Sequence, residues 1–148
     1  MSVWISGTGV LNTKNISAHA ISQSGTHTNA TQFQTTSTTF VNVTNHKVTL
    51  TCVAGDVIIM GTHAFCHSSA AGVYKIRFYD GTTQYGGEVF GSNSTWYYST
   101  TASVGTGTAP SSSTDFYVQV KITSGTFSYN MAGAGTGEST LSVVELKR

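Results

Sequence analysis

Three kinds of side chain in this sequence could do chemistry. The carboxylates are Asp56, Asp80, Glu88, Asp115, Glu138 and Glu145. Cleaving a glycosidic bond takes two carboxyl groups facing each other across about 5–9 Å, one giving a proton while the other takes one or attacks. Asp56, Asp80 and Asp115 fall at the edges of apolar runs, where Asp acts as a turn former, so a hydrolase on a β-sandwich ranks last among the readings. His63 and His67 flank Cys66 and share one face of an extended segment, which is the beginning of a metal site. Structural zinc takes four ligands, usually from two clusters. The second cluster is missing, because Cys52 stands alone and His46 falls in an expected turn. A packed or polar histidine is the better reading, and no metal or cofactor is expected. The turn at Ala54–Gly55 sets Cys52 opposite residue 57, far from Cys66, so two free thiols are expected. No GxSxG elbow, P-loop or HExxH occurs. Gly133, Gly135 and Gly137 lack the strand–helix context of a dinucleotide site and read as a loop. The expectation is a protein without catalytic activity.

The third kind is aromatic. Trp96, Tyr97 and Tyr98 are consecutive, and Tyr85 and Phe90 lie just upstream. Such rings offer large contact area at low entropy cost, to a partner's apolar surface or to a sugar. Any single ring more often fills a core. Neighbours on a strand point opposite ways, however, so the three consecutive rings cannot all enter one core. These five residues are the candidates for an oligomer interface or a glycan contact.

The elements that position these groups are strands. In 38–50, TTFVNVTNHKVTL, two alternating runs meet across a short polar stretch and read as a hairpin. A third run from Asp56 to Phe65 is apolar on both faces, which predicts a central or covered strand. Val73 to Tyr79 alternates, with Tyr74, Ile76 and Phe78 inward and Lys75 and Arg77 outward. Asp80–Gly81 supplies a hairpin turn. Gln84 to Phe90 and Thr95 to Ser99 read as strands, and 100–114, rich in Gly, Ser and Thr, as a loop. Phe116 to Ile122 is the cleanest strand, Thr126 to Asn130 is expected to pair with it, and Ser139 to Leu146 closes the chain. About eight short strands between turns predict an all-β antiparallel β-sandwich or jelly roll. Residues 1–37 carry thin apolar residues and no helical period, which predicts an extended N-terminal arm. Trp4, Ile5 and Leu11 are its candidate anchors, and 38–148 is the expected sandwich domain.

The 148 residues suit a single domain. The charged fraction is 9%, against roughly 25% in ordinary soluble domains, and Ser and Thr take the place of charge. A net charge of +1 without clustered cations argues against a nucleic-acid partner. No apolar run is long enough for a membrane span. The N-terminus lacks a basic region followed by an apolar one, so no signal peptide is read and synthesis in a cytoplasm is expected. Sequons at Asn15, Asn29, Asn42 and Asn93 then carry little meaning.

The segment 35–59, TTSTTFVNVTNHKVTLTCVAGDVII, followed by an alternating strand and the DGT turn at 80–82, resembles the β-sandwich domains of tailed-phage structural proteins. Those domains occur in tail-fibre tips, head fibres and capsid decoration proteins, and are similar in outline to the trimeric tumour-necrosis-factor/C1q jelly roll. The resemblance spans roughly 35–146 and rests on pattern more than on an invariant motif. It implies a jelly roll that forms homotrimers through an aromatic-lined face, with an N-terminal attachment segment and no catalytic residues. The implied setting is the virion surface, with the major capsid protein or a tail protein as further partner. The chain lacks the long shaft of most fibre proteins, which favours a small decoration or spike protein. A host-adsorption module contacting surface glycans through Trp96, Tyr97 and Tyr98, or through 100–114, is the alternative.

Overall fold

The computed structural model describes residues 21–67, 72–93, 97–130 and 138–146. These form ten strands and no helix: β1 (Ile21–Asn29), β2 (Phe33–Thr35), β3 (Val41–Thr51), β4 (Asp56–His67), β5 (Gly72–Tyr79), β6 (Gln84–Asn93), β7 (Tyr97–Thr108), β8 (Ser113–Ile122), β9 (Phe127–Tyr129) and β10 (Ser139–Leu146). Every pairing is antiparallel. In the first sheet β7 covers one edge of β4 along its whole length. The other edge is shared by β10, which carries β1 outside it, and by the short β9, which carries β2. The second sheet runs β3-β8-β5-β6. Two facing antiparallel sheets ordered β1-β10-β4-β7 and β3-β8-β5-β6 are a jelly roll.

The core forms because alternating strands turn one set of side chains inward. Val57, Ile59 and Phe65 come from β4, Tyr74, Ile76 and Phe78 from β5, Phe116, Val118, Val120 and Ile122 from β8, and Leu141 and Val143 from β10. Burying each such side chain contributes about 1.5–3 kcal/mol. The rings of Phe65, Phe127 and Tyr74 cluster with centres 4.6–5.5 Å apart, Phe65 stacked on Phe127 and Tyr74 tilted against both. Glu145, buried at the end of β10, accepts the Val53 and Gly55 N–H groups at 2.8 and 2.9 Å and an amide hydrogen of Gln23. It thereby pins the crossing from β3 to β4.

Four expectations need correction. The hairpin expected in 38–50 does not form: β3 is one strand, and both its halves pair with β8. A register shift between Asn42 and Lys47 absorbs the polar stretch, with Asn45 at φ 58° as its left-handed residue. His46 is therefore buried in a strand and not in a turn. Residues 100–108 are not a loop but most of β7. Its glycines face inward because Tyr85 lies against them: a Cβ on Gly107 would meet the Tyr85 ring at 2.7 Å. The 127–129 strand leaves β8 and joins β2 and β4 in the other sheet. Finally, the boundary drawn after residue 37 moves, since β1 and β2 are strands of the sandwich itself. Trp4, Ile5 and Leu11 lie outside the described residues.

Candidate functional site

The outward side chains of the first sheet form a grid. Its middle row is Thr26, Ser142, Met60 and Val104, in register across four strands. On one side lies the row Ser24, Val144, Ile58, Thr106, and on the other Thr28, Thr140, Thr62, Ala102. None of the twelve is ionisable. Met60 is 43% exposed and its neighbour Val104 64%. Hydroxyls pair sideways within the grid, Thr26 with Ser142 at 3.0 Å and Thr62 with Thr140 at 2.7 Å. The cations sit on the opposite side of the molecule. Lys47, Lys75, Arg77 and Lys121, the cations among the described residues, all point outward from the second sheet, with Asp115 and Glu88 between them. The sandwich thus has one face that carries these cations and one whose centre is uncharged, with Asp56 in the next row of the grid, between Leu146 and Thr108.

A line of polar groups crosses the interior. His63 on β4 is buried and bonds Tyr129 Oη through Nδ1 at 2.6 Å and Ser103 Oγ through Nε2 at 2.7 Å. The pairing has the form of a serine–histidine dyad. A dyad catalyses only where substrate can reach the hydroxyl and the base is poised near the working pH. Here burial pushes the imidazole down to about 3, and its second nitrogen meets a phenol where a carboxylate would be wanted. The contact ties β4, β7 and β9 together. His46 on β3 lies against the same Tyr129 ring and reaches His27 on β1, Nδ1 to Nδ1, at 3.3 Å. Burial, then the neighbouring His27, lower its pKa to about 4. Its Nε2 has no hydrogen-bond partner among the described residues. Sequence reasoning placed His63 as a packed histidine; it missed His46, whose only signal was its position in an alternating run.

A groove of about 440 Å³ separates the Asp80 turn from residues 108–115, with Asp80 and Asp115 in its walls. Asp80 accepts the Thr82 and Thr83 N–H groups at 2.8 and 2.6 Å and the Tyr85 hydroxyl at 2.7 Å, which shapes the turn. Asp115 binds Lys47 at 2.6 Å and also accepts the Thr49 and Tyr117 hydroxyls. The Lys47 ammonium, then the Thr49 hydroxyl, hold its carboxyl below the usual range. A glycosidase acid needs the opposite, a carboxyl raised to keep its proton. Cys52 is a buried free thiol, pushed up to about 11 by burial. No group of three or more metal-ligating side chains converges among the described residues; the Cys66 and His67 side chains lie outside them.

The aromatic candidates separate. Tyr85 is fully buried, its ring edge-on to Phe116 at 5.5 Å, and is therefore a core residue and no contact for a partner. Phe90 stands outward, 72% exposed, on the charged face. Tyr97 and Tyr98 begin β7, but their side chains, and Trp96 altogether, lie outside the described residues.

No family model matches this sequence, and no curated protein does. Among solved structures, the chain is similar to Eiger TNF from S. frugiperda, at 10% identity and TM-score 0.37 over 78% of this chain and 91% of that one. It is also similar to the VP2 protein of infectious bursal disease virus in derived T=1 particles, at 12% identity and TM-score 0.42, and to the virus's Gx strain structure, at 13% and 0.43. Those two alignments cover 98% and 94% of this chain but 40% of each viral chain. Likeness at this level carries nothing about function.

Proposed function

We propose that this chain is a non-enzymatic structural protein of a tailed-phage virion: a surface-exposed capsid decoration, spike or fibre module whose copies associate as trimers. The observation that carries the proposal is the uncharged grid on the first sheet. An antiparallel sheet facing water on one side normally alternates apolar inward with polar outward. Ile58, Met60, Val104 and Val144 break that rule together, in the middle of the face. The grid's paired hydroxyls already satisfy part of their hydrogen bonding, so removing water from these twelve side chains leaves few unmet groups and no charge among them to desolvate. Closed symmetry would cover such a patch. The resemblance of 35–59 and the DGT turn to phage β-sandwich domains supports the virion setting, with the capsid or a tail protein as further partner. The deciding measurement is solution mass by light scattering after size exclusion at micromolar concentration. Three times the chain mass is expected; a lone chain would overturn the proposal.

A further inference from the structure

We propose that the outer face of the second sheet binds an acidic polysaccharide, whose carboxylates sit on Lys75, Arg77 and Lys121 while a sugar ring lies against Phe90. The starting observation is a like-charge contact. Lys75 on β5 and Lys121 on β8 are direct cross-strand partners, an arrangement that destabilises a sheet. Arg77 follows Lys75 on the same outward face. One carboxylate answers these three cations: Glu88, which pairs with Lys75 at 2.6 Å and feels Lys121 and Arg77 at longer range. Asp115, the other acid of this face, is taken by Lys47. The cluster keeps an excess of positive charge that nothing else described on the face cancels.

Arg77 is held in place without being neutralised. Its Nε donates to Gln119 Oε1 at 2.8 Å and its Nη1 to Gln84 Oε1 at 3.1 Å. Its guanidinium lies 4.0 Å from the Phe40 ring centre and 4.6 Å from that of Tyr79. Gln119 is itself held, donating to Asn42 Oδ1 at 2.7 Å. Every partner in this frame is neutral, so the guanidinium is oriented while its charge remains for a ligand. A fixed guanidinium matches a carboxylate's two oxygens and loses little freedom on binding. Lys121 also reaches the Phe40 ring, its ammonium 4.4 Å from the centre.

Phe90 is the cross-strand partner of Lys75 on β6 and 72% exposed. An exposed ring beside oriented cations suits a ligand with apolar C–H faces and carboxylates together, which is what a polymer of uronic acids presents. The open sheet surface suits a chain lying across it. A nucleic acid would want a longer stripe of cations, and two carboxylates interrupt this one. The site lies on the opposite side of the sandwich from the uncharged grid, so it stands whether or not copies associate there.

The test is calorimetric titration of the full chain with polygalacturonate, with neutral dextran and duplex DNA as comparisons. Polygalacturonate is expected to bind, more weakly as salt rises, and dextran to give no heat. R77Q and K121Q should each weaken binding about tenfold or more, since a charge-assisted contact is lost. F90S should weaken it less, and K47Q, on the same face but outside the cluster, should leave it unchanged. K121Q decides, because removing one of two facing lysines should hold or raise the melting temperature while binding falls. Absence of polygalacturonate binding, wild-type affinity in K121Q, equal binding of dextran, or tighter binding of DNA would each overturn the proposal.

Discussion

His46 and His63 are uncharged inside the sandwich at neutral pH, and that makes the fold sensitive to acid. Their pKa values are lowered by burial to about 4 and about 3, from 6.5 in an unfolded chain. Below pH 6.5 the unfolded chain therefore takes up protons that the folded one refuses, and stability falls with pH. It is full above the unfolded value and lost progressively down to the folded ones. The full loss is on the order of 3 kcal/mol for His46 and about 5 kcal/mol for His63, whose share is complete only below the lower value. Glu145 acts in the same direction. Burial raises its pKa, but the Gln23 amide and the Val53 and Gly55 N–H groups outweigh that and leave it lowered, so its contribution also disappears as acid protonates it. Urea midpoints should fall steadily between about pH 7 and pH 4, and His46→Phe should flatten part of that slope. A midpoint that stays constant over this range would contradict the buried neutral imidazoles. The packing of His63 was legible in its alternation with Val57, Ile59 and Phe65. Its bonds were not, because Ser103 and Tyr129 lie 40 and 66 residues away, on other strands.

At the scale of the element, β5, β8 and β10 were legible because a half-buried strand writes its own period of two. What failed was the treatment of Gly and Asn as punctuation. In β7, Gly105 and Gly107 make room for Tyr85, which leaves a strand looking like a loop. Gly107→Ala should therefore cost about 1–3 kcal/mol through overpacking, read as a drop in unfolding free energy. Tyr85→Ala should cost about 3–5 kcal/mol and make Gly107→Ala nearly harmless in the double variant, since the ring it strikes is gone. Costs that simply add would mean that the two do not touch. In β3, Asn45 marks a bulge, so the chain runs on in one strand. Asn45→Val should cost about 1–2 kcal/mol and Asn45→Gly little, because only the branched side chain resists positive φ. Strand partners were beyond the sequence for a different reason. Whether 127–129 stays with β8 or crosses to β4 depends on which sheet edge is open, and that is decided by strands far away in the chain.

For the whole molecule, the gathering of the described cations on one of the two faces yields a test that folding alone cannot mimic. Val104 and Phe90 are 64% and 72% exposed in the single chain, yet they stand on opposite sheets. A lysine at either position points into water in an isolated subunit, so each change should leave monomer stability within about 0.5 kcal/mol. Their effects diverge if copies meet across the first sheet. The ammonium introduced by Val104→Lys would then be pressed into a patch with no acidic partner among Met60, Ile58, Val144 and the surrounding hydroxyls. Burying an unpaired ammonium costs several kcal/mol. Because each symmetric contact carries the change, Val104→Lys should raise the dissociation constant by about a hundredfold or more. Phe90→Lys, on the charged face, should leave association as it was. Sedimentation velocity over a dilution series separates the outcomes: lone chains for the first variant and intact oligomers for the second. If Val104→Lys sediments like the unaltered protein, copies do not meet through this sheet, and its apolar centre faces something else.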